Sequence, residues 1–300
     1  MSSQSKIIVN LSSYVIQRYK KTLDRVYQVK ESRSNQKRVN ILTGMLFAMI
    51  KSGQSSLHEV GNKYPDSTDL ESRIKKVKRW LDSKYSDFNT FYIPYIYLLF
   101  NAIPSTSPLV IAIDGSEIGN GCTVLMLSLI YRKRSLPICW LVRKGKKGHW
   151  SVDLHIQLLK RLKLLLITNH QIILLGDGEF DGWSIQQYCK DNNWDYVLRT
   201  AKSTQIETQH GDTFPIGMLY PMKGHDYYFV EDVYFTKNRY GTINCLVWHS
   251  DIHDDPLFLV SAYANNNAYI NSTTHLLMRK RLINLWKLYD HLMSILGGAI

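Results

Sequence analysis

The chain has 300 residues, 45% of them hydrophobic and 21% charged, a balance that excludes an intrinsically disordered protein and leaves room for two domains. Its net charge of +12 favours a polyanionic partner, nucleic acid first and an anionic membrane surface second. Its four cysteines include no Cys-x-x-Cys pair, which argues against a structural zinc site and gives no disulfide framework.

Apolar residues at helix spacing dominate residues 1–105, which we predict to form a helical DNA-binding region. One amphipathic helix is predicted at Val39–Lys51, closed by Gly53 just past its end. Ser56-Leu-His-Glu59 is a capping-box pattern that opens a short helix. Thr68-Asp-Leu-Glu71 repeats that pattern before a further helix.

The helix that follows Thr68 is both amphipathic and basic. Its predicted apolar stripe consists of Leu70, Ile74, Val77 and Leu81. Five basic residues crowd the remaining surface: Arg73, Lys75, Lys76, Lys78 and Arg79. Such a helix can be an ordinary solvated face, but on a chain of this charge we favour contact with a DNA groove.

From Leu109 the pattern changes to alternating strands and helices. Three strands come first, then helix, strand, helix and strand, which matches an α/β fold of the ribonuclease H-like type, a mixed sheet flanked by helices. We assign this core to residues 106–300. The predicted elements are strands at Val110–Ile113, Thr123–Tyr131 and Leu136–Val142, a helix from Ser151 to about Leu166, a strand at Ile172–Leu175, a helix at Trp183–Asp191 and a strand at Asp195–Arg199.

Residues 203–262 return to a β pattern and predict a β-rich insertion in this core. Turn signals occur at Arg132–Ser135 in the core and at Asn238–Gly241 in the insertion. The predicted strands of the insertion are Tyr227–Phe235, Ile243–His249 and Pro256–Ala262.

Two aspartates follow apolar runs of strand length. Asp114 follows Leu109–Ile113, Asp177 follows Ile172–Gly176, and a glycine comes directly after each aspartate. Sites form beyond the carboxyl ends of central strands in such sheets, and paired carboxylates hold divalent cations. We therefore predict a Mg²⁺ (or Mn²⁺) site at this pair, against the alternative that each Asp-Gly is only a turn.

Other polar residues near this pair have weaker signals. Glu179 and Asp181 are expected to be peripheral acids that stabilise the dipole of the following helix. His149 is expected to be an ordinary loop histidine, and Trp248 a packing residue although it could stack on a base. The loop that follows the third strand is rich in glycine and lysine and is predicted to contact phosphates through Lys144, Lys146 and Lys147.

Taken together, these motifs resemble the DDE transposases of bacterial insertion sequences, in the subgroup of insertion sequence 4 type with a β-strand insertion in the core. The resemblance rests on Ile113–Ser116, on Leu136–His149 and on Leu175–Gly182, and it extends back to Glu71–Leu81. It implies that Asp114 and Asp177 are the first two members of an acidic triad.

The sequence departs from this family at the third acid, a glutamate on a late helix. Leu285 stands where that glutamate is expected, Met278 stands where a tyrosine is expected, and Asp290 is about one turn too late. The basic part of the pattern is present as Arg279, Lys280 and Arg281, which we include in the predicted DNA-binding set. A truncated, decayed or frameshifted copy is the expectation, and the third acidic residue is unknown.

The resemblance implies cut-and-paste transposition by metal-dependent DNA strand cleavage and strand transfer, with transposon ends and target DNA as partners and a homodimer when assembled on DNA. The alternatives are a catalytically silent protein that occupies transposon ends, and a ribonuclease H-like nuclease of unrelated purpose. No signal-peptide pattern and no bilayer-length apolar run occur, so we expect a cytoplasmic, nucleoid-associated bacterial protein without membrane contact.

Overall fold

The structure is a computed structural model that describes residues 3–27, 32–119, 121–132, 134–145, 149–167, 169–223, 227–249 and 254–262. The chain divides into two compact units, Met1–Ile103 and Pro104–Ile300. The late segment with Met278, Leu285, Asp290 and the predicted basic residues Arg279, Lys280 and Arg281 lies outside the described residues, as do Lys146 and Lys147.

The first unit is helical throughout its described part. Its helices are α1 (Ser3–Val26), α2 (Arg33–Ser52), α3 (Leu57–Lys63), α4 (Leu70–Leu81), α5 (Phe88–Phe91) and α6 (Ile93–Asn101).

Helix α2 ends as predicted but begins earlier. Gly53 closes it in the left-handed conformation at φ 69°, and its N–H donates to the carbonyl of Met49. Its start lies at the N-cap Ser32, whose hydroxyl accepts from the N–H of Ser34. The prediction missed the first turns because they are polar and mostly exposed, so apolar periodicity does not reveal them.

Asp69 caps helix α4, one residue later than the predicted Thr68. The Asp69 carboxylate accepts the N–H of Ser72 at 2.9 Å and the Ser72 hydroxyl at 2.7 Å. A carboxylate at this position also interacts favourably with the helix dipole. Helix α3 follows its predicted pattern, with Ser56 accepting from the N–H of Glu59 at 3.4 Å.

The apolar stripe of α4 differs from the prediction at its C-terminal end. Val77 is buried, and Ile74 fits so closely over Gly61 that an added Cβ would lie 2.6 Å from its Cγ1. Leu81, however, is 52% exposed. Trp80 takes its place, because its Nε1 can donate to the carbonyl of Arg38 at 3.0 Å while its ring packs on apolar neighbours.

The second unit is built on one mixed sheet of ten strands in the order β3-β2-β1-β4-β5-β10-β9-β8-β6-β7. Its strands are β1 (Leu109–Gly119), β2 (Cys122–Tyr131), β3 (Arg134–Lys144), β4 (Ile172–Gly176), β5 (Asp195–Arg199), β6 (Gln205–Glu207), β7 (Thr213–Pro215), β8 (Tyr227–Phe235), β9 (Tyr240–Trp248) and β10 (Leu257–Ser261).

The first five strands lie in the order 3-2-1-4-5. β1 is antiparallel to β2 and parallel to β4, and β4 is parallel to β5. Helix α7 (Val152–Leu165) contacts β2 and β3, and helix α8 (Trp183–Asp191) contacts β5. This is the strand order of a ribonuclease H-like sheet flanked by helices, and the predicted fold class is confirmed.

The β-rich segment continues this sheet. β10 pairs antiparallel with both β5 and β9, so the segment extends the core sheet sideways. Its turn was predicted at Asn238–Gly241, but β9 already begins at Tyr240. Thr236 and Arg239 carry positive φ angles of 62° and 53° instead.

The predicted turn at Arg132–Ser135 is also tighter in the structure. Tyr131 pairs directly with Arg134 in the β2–β3 hairpin. Arg132 has a φ of 48°, the left-handed conformation that short hairpin turns require. Among the helices of the described ranges, none is both long and apolar enough to cross a membrane.

Replacing the observed cap of α4 should destabilise the first unit. We expect Asp69→Ala to lower the free energy of unfolding, because the N–H of Ser72 loses its acceptor. Denaturant unfolding followed by far-UV circular dichroism measures this difference. Thr68→Ala is the matched control and should change stability little; an equal loss in both variants would contradict the assignment of the cap.

Candidate active site

Asp114 and Asp177 lie on neighbouring parallel strands. The register of β1 and β4 pairs Ile113 with Gly176, so each aspartate is the next residue along its strand. Asp177 follows the end of β4 as predicted. Asp114 does not end a strand, because β1 continues to Gly119 through its pairing with β2.

Each carboxylate has a defined hydrogen-bond partner. The hydroxyl of Ser116, two residues along β1, donates to Oδ2 of Asp114 at 2.6 Å. Oδ1 of Asp177 accepts the N–H of Glu179 at 3.0 Å. Asp177 therefore does close a turn, as the alternative interpretation proposed, whereas Asp114 lies in extended strand and does not.

The electrostatics of the pair favour a cation. Burial raises the pKa of the Asp177 carboxyl above its ordinary value, and the nearby charges of Asp114 and Glu179 raise it further. Burial also raises the pKa of Asp181, with a contribution from Asp177. Carboxylates that repel one another in partial burial are stabilised when a divalent cation binds between them.

Gly176 allows the close approach that sets this pair. A Cβ at Gly176 would lie 2.9 Å from Cγ2 of Ile113 and 2.9 Å from Cβ of Phe180. A side chain there would push β4 away from β1 or displace the turn after Asp177. The glycines that directly follow the aspartates are less constrained, since a Cβ at Gly115 would meet Trp150 at 3.4 Å and one at Gly178 would have almost open space.

Glu179 is not a helix-dipole residue, contrary to the prediction. Its Oε1 accepts the N–H of Trp150 at 2.6 Å and lies 3.5 Å from Nε2 of His155, and its Oε2 lies 3.9 Å from Nδ1 of His149. Helix α8 begins only at Trp183. Burial lowers the pKa of the His155 imidazole, although the Glu179 charge opposes this.

Asp181 is also engaged elsewhere. Its Oδ2 accepts the hydroxyl of Thr200 at 2.6 Å, and Thr200 contacts the hydroxyl of Thr204 at 2.8 Å. Asp181 thus joins the start of α8 to the segment after β5. Over the part of the chain that the structure describes, no group of three or more His, Cys, Asp or Glu side chains is placed to hold a metal ion.

Sequence reasoning missed Arg199 at this site. Gly176 pairs with Leu198 across β4 and β5, so Arg199 and Asp177 both follow the paired residues at one edge of the sheet. The Arg199 charge partly opposes the raised pKa of Asp177. Its signal in the sequence was its place at the end of the predicted strand Asp195–Arg199, the place that Asp177 has in its own strand.

The predicted basic residues of α4 divide into two groups. Lys76 forms an ion pair with Asp66 and lies 5.5 Å from the centre of the Tyr64 ring, and Arg73 is half-buried and donates to the carbonyl of Asp66 at 3.4 Å. These two residues are partly buried within the first unit, and their contact with DNA stays a prediction. The exposed members are Lys75, Lys78 and Arg79.

A groove of about 410 Å³ runs between α2 and α4, and we call it the α2–α4 groove. Arg38 lines it with its guanidinium 4.7 Å from the centre of the Tyr85 ring, and Arg79 lines it from α4. Basic residues and hydroxyls together suit a phosphate backbone. The lining residues are Arg38, Ile41, Thr68, Ser72, Lys75, Lys76, Arg79, Trp80, Ser83 and Ser86.

In the second unit, Lys144 is exposed at the end of β3. Gly145 follows it with a φ of 146°, a conformation that L side chains rarely adopt. Trp248 is partly buried and packs with Tyr227 and Phe229 against the sheet core, so it has the packing role expected of it.

We expect Asp177→Asn to stabilise the folded chain at pH 7. The folded-state pKa of Asp177 is raised, so the charged carboxylate is less favourable in the folded than in the unfolded state at neutral pH. The gain should shrink as pH falls towards the unfolded value of about 3.9, where the native side chain is itself protonated. Thermal unfolding from pH 7 to pH 4 measures this gain in stability. The control is Asp153→Asn, which changes an exposed acid in the first turn of α7 and should give no gain. If Asp177→Asn gave no gain at pH 7, the raised pKa of Asp177 would be contradicted.

No protein-family model matches the chain, and no curated protein matches it. Among solved structures it is similar to a piggyBac transposase in a synaptic complex with hairpin DNA, at 12% identity and a TM-score of 0.48 over 95% of this chain. The chain spans 65% of that transposase chain, less than two thirds. It is also similar to the Ciona intestinalis Endonuclease V in complex with DNA, at 13% identity and a TM-score of 0.28 over 55% of this chain and 79% of that one. A third similar structure is the Marinitoga piezophila Argonaute, at 11% identity and a TM-score of 0.29 over 75% of this chain and 33% of that one. All these TM-scores lie below 0.5, so the fold assignment stands on the strand order and not on these similarities.

Proposed function

We propose that the chain is a metal-dependent DNA-processing protein of the DDE transposase type. The observation that carries this proposal is the juxtaposition of Asp114 and Asp177 at the centre of a 3-2-1-4-5 sheet. Two half-buried carboxylates whose charges disfavour one another would be stabilised by a counter-cation. On a chain with a net charge of +12, the substrate that fits such a site best is a phosphodiester.

The residues of the pair would hold a hard divalent cation, Mg²⁺ or Mn²⁺, through carboxylate oxygens. Such an ion, when bound, polarises a phosphoryl oxygen and lowers the pKa of a coordinated water. The hydroxyl of Ser116 orients Asp114, and the N–H of Glu179 orients Asp177. Arg199 adds a positive charge at the same edge of the sheet, where a phosphate would arrive.

DNA affinity is assigned to two surfaces, one in each unit. In the first unit, Arg38, Lys75 and Arg79 of the α2–α4 groove would contact the phosphate backbone. In the second unit, the exposed Lys144 at the end of β3 would contact phosphates. Contacts of this kind supply affinity without sequence readout.

The finer assignment is an insertion-sequence transposase of insertion sequence 4 type that cleaves transposon ends and joins them to target DNA. Support comes from the motifs Ile113–Ser116 and Leu175–Gly182 and from the β-rich segment that extends the sheet beyond β5. A homodimer on DNA and a nucleoid-associated location in bacteria belong to the same proposal, because two transposon ends must be joined on genomic DNA.

A catalytically silent DNA-binding protein is the second candidate. One observation favours it: among the described residues no third ligand joins Asp114 and Asp177. Glu179 and Asp181, the two acids that follow Asp177 in the sequence, have other partners. Both candidates bind DNA, so strand cleavage must distinguish them.

We expect the chain to bind DNA carrying the ends of its element and to cleave it at least about 100-fold more slowly than a Leu285→Glu variant. The reason is that a third carboxylate would hold the cation more firmly, and loss of one group that supports transition-state charge stabilisation costs about 10²–10³ in rate. The measurement is cleavage of end-labelled duplex with Mg²⁺ or Mn²⁺. Asp114→Ala and Asp177→Ala, each combined with Leu285→Glu, should abolish the gain, and Asp153→Asn should preserve it.

Two results would revise this proposal. Fast cleavage by the unaltered chain, lost in both alanine variants, would mean that another residue already completes the site. Metal-dependent cleavage that survives Asp177→Ala would place the chemistry elsewhere in the chain.

We expect Arg79→Gln to weaken DNA binding and Lys76→Gln to affect mainly stability. Arg79 is exposed in the α2–α4 groove, whereas Lys76 is paired with Asp66. Losing one phosphate contact lowers the slope of log affinity against log salt by about 0.9. Fluorescence anisotropy over a salt series measures the slope, and thermal unfolding measures stability; equal slopes in the native chain and Arg79→Gln would exclude the groove as a phosphate site.

A further inference from the structure

Glu179 joins three parts of the second unit at one point. Its side chain is 18% exposed, and its Oε1 accepts the backbone N–H of Trp150 at 2.6 Å. The same oxygen lies 3.5 Å from Nε2 of His155 on α7. Its Oε2 is 3.8 Å from the place where a Cβ would stand on Gly115 of β1.

The residue that Glu179 holds is itself the centre of a packed corner. Trp150 is only 5% exposed, and its indole covers Gly115, the residue after Asp114. The guanidinium of Arg143 lies 4.0 Å from the centre of the Trp150 ring and donates to the carbonyl of His149 at 3.3 Å. Arg143 and Lys144 form the end of β3, where they pair with Thr123 and Cys122 of β2. The corner therefore holds the side chain of Arg143, while strand pairing holds the backbone.

We propose that Glu179 is a positioning residue that fixes the His149–Trp150 corner over Gly115 and thereby holds the guanidinium of Arg143 on the ring of Trp150, next to the strand that carries Asp114. This inference rests on the proposed function, since it assigns the basic end of β3 to DNA phosphates. Glu179 itself contacts no DNA in this arrangement. Its role is to give the N–H of Trp150 an acceptor of the right reach.

The physical reason is that Trp150 is buried and its N–H donates to Glu179. A partly buried N–H that loses its acceptor destabilises the local structure much more than a solvated one. A carboxylate acceptor makes a stronger bond than a neutral one. Without it, the corner should open more often and Trp150 should leave Gly115 in the open state.

Limited trypsin digestion of the full chain tests the positioning role directly. We expect Glu179→Ala to raise the cleavage rate after Arg143 and Lys144 about ten-fold, with no change after Lys237 in the β8–β9 turn. Glu179→Gln should digest like the native chain, because its amide oxygen can still accept from Trp150. Glu179→Asp, which keeps the charge but shortens the reach, should digest like Glu179→Ala, and Asp153→Asn is the matched control without effect.

DNA affinity, measured by anisotropy without metal, tests the consequence. We expect about three-fold or greater weakening in Glu179→Ala and Glu179→Asp, and recovery in Glu179→Gln. Unchanged digestion at Arg143 and Lys144 in Glu179→Ala, or fast digestion in Glu179→Gln, would overturn the positioning role.

The two proposals fail in different ways. Faster digestion with unchanged DNA affinity would overturn the link between the corner and DNA. If the native chain bound no DNA at all, the proposed function would fail, while the digestion pattern would still decide whether Glu179 holds the corner. Thermal unfolding of each variant separates local opening from global destabilisation.

Discussion

The second unit is organised around two carboxylates that the fold brings together against their mutual repulsion. Parallel pairing of β1 with β4 sets Asp114 next to Asp177, and the raised pKa of Asp177 records the unfavourable environment. Burial of apolar strand residues offsets this repulsion. All five residues of β4 are buried, and each fully buried Ile or Leu side chain contributes about 1.5–3 kcal/mol to the stability of the fold. Gly176 lets the strands approach closely enough for the pair to form. A carboxylate whose pKa is raised by burial and by a neighbouring acid marks a candidate functional site.

The order of strands and helices in the core could be predicted because each element has its own local pattern. The run Ile172–Leu175 is apolar throughout because β4 lies inside the sheet, and α7 shows an apolar face at helix spacing. The same local pattern, an apolar run followed by an acid, made Asp114 and Asp177 the predicted site residues. It misplaced the end of β1 because pairing with β2, which holds β1 extended to Gly119, leaves no signal in the run before Asp114.

The site beyond this pair could not be predicted, because its contacts join residues far apart in the chain. Glu179 looked like an acid before a helix, and only the fold shows that it accepts from Trp150, 29 residues earlier. Among the basic residues of α4, Lys76 looked as available as Arg79 until its pairing with Asp66 was seen. Net charge thus predicts the kind of partner, whereas the folded structure shows which basic side chains are exposed and which are paired with acids.

The hydrogen bonds of the acids around Asp114 and Asp177 determine how many carboxylates are available to a metal ion. Glu179 is committed to Trp150 and lies near His155, and Asp181 is committed to Thr200. Moving either carboxylate to the metal would leave a partly buried N–H or hydroxyl without its acceptor, which opposes the move. Affinity for a hard cation depends on the number of charged oxygen ligands, and a pair alone supplies two. A third carboxylate from beyond the described residues would therefore decide between a DNA-cleaving enzyme and a DNA-binding protein, because the sheet, the pair and the basic surfaces are common to both.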